Sequence, residues 1–274
     1  MKRVLVSLCL LTLAGALPVC AQTEHNTIAR IVEVTTKSGM SQQFEAGLKK
    51  YHQWEKEHKA PATYFAWVVI SGDRYGHYFL GTFGHDWKDF DEFEKNSPAG
   101  SGEQLRADVA PYVENVKISY MNFRKDISLA KPDPTKPPSR FTELITFMLK
   151  PGGGQDVTGA IKDANAAEVK SNWTGTPSQW YSLVNGGEGN QLLLALNRND
   201  WADFQPPEKS LGEALTDVYG KEGAEAIGHK FNKQIVRQDA ALNCRNRSGN
   251  DDSNVQSRNY TSLAGLFRES MRAG

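Results

Sequence analysis

Hydrophobic residues along the chain follow two different periods, and the changes between them mark the predicted elements. Residues 31–36 are rich in β-branched side chains and predict a strand, whereas residues 42–58 repeat apolar positions at a helical period. Residues 64–70 and 78–83 are aromatic and β-branched runs joined by a segment with two glycines, which is typical of a β-hairpin. A further helical stretch and a strand at residues 117–123 follow, so the first half has the predicted order β-α-β-β-α-β.

The second half of the chain repeats this pattern. A shift of 113 residues places Trp67 on Trp180, and the phrases DWKDF (residues 86–90) and DWADF (residues 200–204) align after one further residue. Each phrase predicts a helix start, because its first Asp can accept hydrogen bonds from backbone N–H groups of the first turn. The predicted strands of the second half include residues 180–184, 192–196 and 240–245. We therefore interpret the chain as a tandem duplication.

The prolines and the two ends of the chain set the predicted domain boundaries. A proline-rich stretch, KPDPTKPPS, can sustain neither a helix nor a central strand, and we expect it to cross the outside of the protein as a linker. The end of the chain is polar, but apolar residues recur there at helical spacing. The sequence is compatible with two alternatives, a short docking helix and a frayed tail. The predicted units are a signal peptide (1–21), a first repeat (22–128), a linker (129–140), a second repeat (141–247) and a flexible tail (248–274).

The first 21 residues have the pattern of a secretory signal. Lys2 and Arg3 precede an apolar run that Pro18 ends too early for a membrane span, and Val19-Cys20-Ala21 is a small-residue cleavage site. We expect a soluble protein exported to the periplasm or the medium; lipid attachment at Cys20 is the alternative.

Charge and cysteine content narrow the classes of function. Loss of Lys2 and Arg3 leaves 32 − 2 = 30 basic against 32 acidic residues, a net charge of −2, which gives no general attraction to nucleic acid or anionic lipid. Cys244 is then the one cysteine left, so no internal disulfide is expected and the fold must rest on its core.

The element order, the Trp-bearing second strand and the hairpin-to-DW transition resemble the dimeric α/β-barrel superfamily, which includes antibiotic-biosynthesis-monooxygenase-like domains. The resemblance covers residues 29–128 and 141–245. It implies an α+β fold of two tandem ferredoxin-like repeats, whose antiparallel sheets pack face to face as an intramolecular pseudo-dimer. It also implies two enzymatic precedents, cofactor-independent oxygenation of aromatic substrates and haem binding or breakdown.

The common catalytic patterns do not occur in the sequence. No G-x-S-x-G elbow is present, and Gly152-Gly153-Gly154 is not followed by the Gly-Lys-Ser/Thr of a phosphate loop. Glu55 and His58 form one E-x-x-H, but a di-iron site needs a second copy and further carboxylates, so we interpret this pair as a solvated helix end. No metal is expected, and haem is suggested by the resemblance alone.

The candidate binding residues face the presumed space between the sheets. Alternation along the strand puts Phe65 on the face of Trp67, and Ser182 on the face of Trp180, so one repeat would supply aromatic surface and the other hydroxyl groups. The same residues could instead form a packed core. His77 is either a proton shuttle beside this space or an exposed residue at a strand end.

A binding module for a small apolar or aromatic ligand, or for a partner protein, fits these features better than an enzyme does. The duplicated positions are mostly structural, and few of them are chemically reactive. The alternative is a cofactor-independent monooxygenase-like or haem-binding enzyme that acts on an aromatic or tetrapyrrole substrate. The chain is expected to be a monomer with an internal pseudo-dimer, or a homodimer.

Overall fold

The computed structural model describes residues 27–61, 64–133 and 138–245, and this part of the chain contains eight strands and five α-helices. The strands are β1 (Ile28–Thr36), β2 (Phe65–Ser71), β3 (Tyr78–His85), β4 (Val113–Phe123), β5 (Phe141–Leu149), β6 (Ser178–Asn185), β7 (Gln191–Arg198) and β8 (Ile235–Arg245). The helices are α1 (Ser41–Glu57), α2 (Trp87–Lys95), α3 (Ser101–Asp108), α4 (Gly154–Lys170) and α5 (Leu211–Asn232). The predicted signal peptide and the tail at 248–274 lie outside the described residues.

All eight strands pair antiparallel in one closed barrel with the order β1-β3-β2-β8-β5-β7-β6-β4. The first four strands are ordered 4-1-3-2 and the last four 8-5-7-6, which is consistent with a ferredoxin-like arrangement. The halves join edge to edge through β2·β8 and β4·β6 instead of stacking as two separate sheets. Edge pairing is favourable because it satisfies the backbone N–H and C=O groups that each four-stranded sheet would leave free.

The main apolar core lies between the helices and the outer face of the barrel. In the first half, Phe44 and Leu48 of α1 pack on the outward side chains of Val34 and Tyr78. In the second half, Val157 and Ile161 of α4 pack on Phe147 and Trp180. Because strand side chains alternate, the residues between these positions point into the barrel lumen.

The two DW phrases form related but unequal structures. Asp86 caps α2 in a capping box, in which the Asp86 N–H donates to Asp89 Oδ2 over 2.8 Å. Asp200 forms the same box with Asp203, but the turn that follows is a 3-10 segment of four residues, Trp201–Phe204. The predicted helix start is confirmed for the first phrase, whereas the second phrase begins only a short 3-10 helix, because the prolines at 206 and 207 cannot continue a helix.

The described flanks of the linker lie across one end of the barrel. Ala130 and Pro138 line the space enclosed by the strands. The N–H of Ala130 donates to the carbonyl of Ser178 over 3.0 Å, and Arg245 Nη1 donates to the carbonyl of Pro138 over 2.8 Å. Hydrogen bonds to barrel strands hold these flanks over the opening, and Lys131 and Asp133 within them are exposed. The course of the linker across the outside stays a prediction. We call this opening the linker end of the barrel.

Candidate functional site: the barrel lumen

The barrel encloses a cavity of about 970 Å³. Aromatic side chains of the first half form much of its middle: Phe65 and Trp67 of β2, and Phe79 and Phe83 of β3. Their rings meet edge to face, with centroid distances of 6.3 Å for Phe65 and Trp67 and 6.0 Å for Trp67 and Phe83. The first half thus contributes an aromatic wall.

The second half contributes a polar wall near the linker end. Thr142 Oγ1 donates to Asn197 Oδ1 over 2.8 Å, and Asn197 Nδ2 donates to Gln179 Oε1 over 3.0 Å. Asn243 Nδ2 donates to the backbone carbonyl of Thr142 over 3.1 Å. Thr142, Gln179 and Asn243 are all buried, so this network orients neutral amide and hydroxyl groups in a site largely protected from water.

Three residues that line the lumen each contain a buried polar atom with no hydrogen-bond partner among the described residues. They are Nε1 of Trp67 and Nε of Arg74, which are donors, and Oδ1 of Asn243, which is an acceptor. Buried polar groups in folded proteins nearly always have a partner, and leaving one without it costs roughly 1–3 kcal/mol. Protein atoms cover all three, so these atoms are buried in the wall and do not face the cavity.

The end of the lumen opposite the linker is lined by paired charges. The Arg74 guanidinium lies 5.1 Å from the centre of the Phe79 ring and pairs with Asp239 Oδ2 over 2.9 Å. His77 Nδ1 lies 2.7 Å from Glu33 Oε1, and Arg74 Nη1 lies 4.0 Å from Glu33 Oε2. Arg74 thus links the β2–β3 hairpin to β8 of the other half.

The structure separates the five predicted site residues. Phe65 and Trp67 line the lumen, whereas His77 pairs with Glu33 beside the charged end. Trp180 points outward, where its ring lies 5.8 Å from Phe147 between the sheet and α4. Ser182 is partly buried and does not line the lumen. The hydroxyl groups expected from Ser182 come instead from another strand, β5.

The predicted equivalence of Trp67 and Trp180 is wrong by one residue. Trp67 pairs with Phe79, whereas it is Tyr181, next to Trp180, that pairs with the lumen residue Leu193. A shift of one residue exchanges the two faces of a strand, so Tyr181 is the inward counterpart of Trp67. The spacing of the DW phrases contained the signal, because they align at a shift of one residue more than the tryptophans. If the extra residue is inserted before the second strand, Trp67 aligns with Tyr181.

The polar lumen residues were missed by sequence reasoning. The inward positions of β5 include Thr142, Leu144 and Thr146, and those of β8 are Arg237, Asp239, Ala241 and Asn243. Polar residues that recur at every second or fourth position of a strand are the signal that could have indicated a partly polar lumen. It becomes informative only when the inward face of each strand is known.

A second, smaller pocket of about 450 Å³ lies between α4, α5 and the outer face of the second half. It contains Trp180, Ser178 and Glu168, and burial raises the pKa of Glu168 to about 7. The Trp180 Nε1 and Ser178 Oγ atoms are buried without a partner in the described chain. We call this the helix–sheet pocket.

Residues of the types that commonly bind haem iron line the lumen but not the helix–sheet pocket. The described side chains that line the helix–sheet pocket include no His, Cys, Met or Tyr. The lumen lining contains His85, Tyr181, Met121 and Met148. Of these, His85 already has partners, because its Nε2 lies 2.6 Å from Thr82 Oγ1 and its Nδ1 faces Asp89 at 3.9 Å. Burial raises the pKa of Tyr181 and so opposes the phenolate that an iron ligand requires.

The E-x-x-H residues point to different partners. His52 Nδ1 lies 2.9 Å from Glu55 Oε2, and His58 Nδ1 lies 2.8 Å from the carbonyl of Trp54. Among the described residues, no group of three or more His, Cys, Asp or Glu side chains could hold a metal ion. In the same part of the chain, no helix combines the length and apolar character needed to cross a bilayer.

Comparison with known proteins identifies the fold. No protein-family profile matches the sequence, and neither does any curated protein. A protein provisionally named a monooxygenase from Fusobacterium nucleatum superposes with a TM-score of 0.50 at 14% identity, over 84% of this chain and 99% of that one. A mutant chlorite dismutase from Candidatus Nitrospira defluvii superposes with a TM-score of 0.50 at 8% identity, over 82% and 93%. These similarities support the dimeric α/β-barrel fold implied by the sequence.

Proposed function

We propose that the protein binds a small, largely apolar ligand in the barrel lumen. The observation that carries this proposal is a cavity of about 970 Å³ whose lining combines the aromatic side chains of Phe65, Trp67 and Phe79 with the buried polar residues Thr142, Gln179 and Asn243. An aromatic wall opposite a few oriented polar groups is the usual composition of a small-molecule site. An aromatic ligand in this cavity would bury its own surface and that of the aromatic wall.

A thermal-shift screen of aromatic compounds, followed by calorimetry on each hit, tests this proposal. A bound compound at 100 times its Kd stabilises the fold by about 2.7 kcal/mol and raises the Tm. Trp67→Phe should weaken binding, whereas Trp180→Phe should not, because Trp180 points outward. The two tryptophans are 7% and 6% exposed, so they form a matched pair. If no compound raises the Tm, or if both variants weaken binding equally, the proposal is wrong.

A second candidate function is proton-transfer chemistry in the helix–sheet pocket. Glu168 favours it, because a carboxyl group with a pKa of about 7 can act as a general acid or base near neutral pH. Such a reaction would suit the cofactor-independent monooxygenase alternative, and one structural neighbour carries a monooxygenase name. Oxygen consumption with phenolic substrates should then fall in Glu168→Gln and persist in Trp67→Phe.

We also propose that the two halves arose by duplication and that the chain acts as an exported monomer. The matching strand orders, 4-1-3-2 and 8-5-7-6, support the duplication, and closure of the barrel within one chain supports the monomer. The apolar run after Lys2 and Arg3 supports export. Light scattering and N-terminal sequencing of protein from the exported fraction would test the last two points.

A further inference from the structure

We infer that the helix–sheet pocket binds a primary amine with an aromatic body, and that the ammonium group of this ligand pairs with the Glu168 carboxylate. The pocket is separate from the lumen, so the inference does not rest on the lumen binding proposed above. It concerns the pocket of the second candidate function, but it requires binding alone and no reaction.

Glu168 places an unpaired carboxylate in this pocket. One face of α4 lines the pocket, and it consists of Ala160, Ile161, Ala164, Asn165 and Glu168. Within the described part of the chain, the Glu168 carboxylate accepts no hydrogen bond and forms no ion pair. Its oxygens are not fully covered by protein atoms, so a group in the pocket can approach them.

The other charged residues that line the pocket are occupied. Arg198 Nη1 pairs with Glu143 Oε2 over 2.7 Å, and Arg198 Nε donates to the carbonyl of Asp203 over 3.1 Å. Asp203 Oδ2 accepts a hydrogen bond from the N–H of Asn199 over 2.8 Å. Arg198 therefore does not neutralise Glu168.

The cations of the neighbouring helices are also directed elsewhere. The Lys170 ammonium lies 5.9 Å from the centre of an aromatic ring of α5, and Lys209 pairs with Asp217. The Lys230 ammonium lies over Gly159, about two and a half helical turns before the pocket carboxylate on α4. A positive charge at this carboxylate would thus have to come from a ligand.

Aromatic rings form much of the remaining wall. Trp173 Nε1 donates to a backbone carbonyl over 2.8 Å, and its ring lies against Gly175, which has no room for a Cβ, so the indole is held in place. The rings of Trp180 and Phe231 pack on Phe147, with centroid distances of 5.8 Å and 5.3 Å. Such rings attract an ammonium group at their faces and bury the apolar part of a ligand.

Charge and volume together define the ligand class. Burial raises the pKa of Glu168 to about 7, because the carboxylate loses water without gaining a positive neighbour. An ammonium ion would supply that neighbour, whereas a second anion would add repulsion. A pocket of about 450 Å³ has room for one aromatic ring with a short chain. An arylalkyl amine such as 2-phenylethylamine combines these parts.

Calorimetry on the full chain at about pH 8, where Glu168 is ionised, tests the inference. The probes are 2-phenylethylamine as the cation, 2-phenylethanol as its neutral analogue and 3-phenylpropanoate as an anion of similar size. The wild-type protein should bind the amine about tenfold more tightly than the alcohol, and the anion most weakly. In Glu168→Gln the amine should bind no more tightly than the alcohol. Trp67→Phe in the lumen and Glu222→Gln on the exposed side of α5 are controls, and both should keep the preference for the amine.

Proton release provides a second readout that a change in packing alone would not produce. At about pH 6 Glu168 is mostly protonated in the free protein, so pairing with an ammonium group should release close to one proton. Calorimetry in buffers of different ionisation enthalpy measures this number. The alcohol should release no proton from the wild-type protein, and the amine should release none from Glu168→Gln.

Several outcomes would overturn the inference. It is wrong if none of the three probes binds, if amine and alcohol bind the wild-type protein equally, or if Glu168→Gln keeps the preference. Loss of the preference in Trp67→Phe would place the amine in the lumen and would also contradict it. None of these results refutes the two candidate functions, because the thermal-shift screen and the oxygen-consumption assay test those separately.

Discussion

Glu168 provides a direct test of the packing around the helix–sheet pocket. The side chain lies on α4, is partly buried, and burial raises its pKa from 4.5 to about 7. No positive group is among the causes of this change, so the charged form is disfavoured by loss of water alone. Replacing Glu168 with Gln keeps the shape of the side chain and removes the charge.

The magnitude and sign follow from linkage between protonation and folding. A rise from 4.5 to about 7 corresponds to about 3 kcal/mol for a completely buried group, and the solvent that reaches Glu168 lowers this to about 1–2 kcal/mol. Below pH 4.5 the carboxyl is neutral in both states and carries no penalty. As the pH rises through about 7, the free energy of unfolding falls by this amount, about 1–2 kcal/mol, because the carboxyl ionises more readily in the unfolded chain than in the native state.

Urea denaturation of wild type and Glu168→Gln from about pH 4 to pH 9 measures this effect. The two proteins should be nearly equally stable at the acid end, and the Gln variant should be more stable by about 1–2 kcal/mol at the alkaline end. Glu222→Gln, an exposed position on α5, is the control and should change stability by less than about 0.5 kcal/mol throughout. A difference between wild type and Glu168→Gln that stays constant with pH would refute the reasoning.

Two further predictions concern the backbone and are measured by chemical denaturation. Gly72 and Gly39 both have positive φ, but a Cβ on Gly72 would lie 2.5 Å from the carbonyl oxygen of Ala240, whereas one on Gly39 meets nothing within 4 Å. Gly39→Ala should cost about 1 kcal/mol, and Gly72→Ala clearly more; equal costs would contradict the close approach of the hairpin to β8. Asp86→Ala should cost about 1 kcal/mol and Asp200→Ala about half as much, since Asp200 caps only a four-residue turn. A larger loss for Asp200→Ala would contradict that difference.

Much of the fold could be predicted from local patterns. The amphipathic period around Phe44 and Leu48 identified α1, and the glycines between the runs at 64–70 and 78–83 identified the first hairpin. These signals are local, because a helix face or a tight turn depends on residues close together in the sequence. The resemblance to dimeric α/β barrels then indicated how such elements assemble.

The lumen could be predicted only in part, because its composition depends on register. Phe65 and Trp67 were identified correctly as sharing one face, since alternation within a single strand is a local property. Aligning the two halves required knowing where the second half contains its one extra residue. Placing that residue after the second strand instead of before it aligned Trp67 with Trp180, although Tyr181 is the inward residue. The contact between Asn243 and Thr142 joins positions about a hundred residues apart, and no local pattern specifies it.

Closure of the barrel has a consequence for how the chain folds. The β2·β8 seam pairs Trp67 with Arg245, so the last strand must be available before the first half can complete its hydrogen bonding. Contacts between residues so distant in sequence slow folding, because the entropy of closing a large loop is lost before strand pairing contributes favourable free energy. Until then β2 and β4 each present a free strand edge, a template onto which another chain can add. We therefore expect refolding yield to fall with protein concentration, with the unsealed intermediate, not the native barrel, as the species that aggregates.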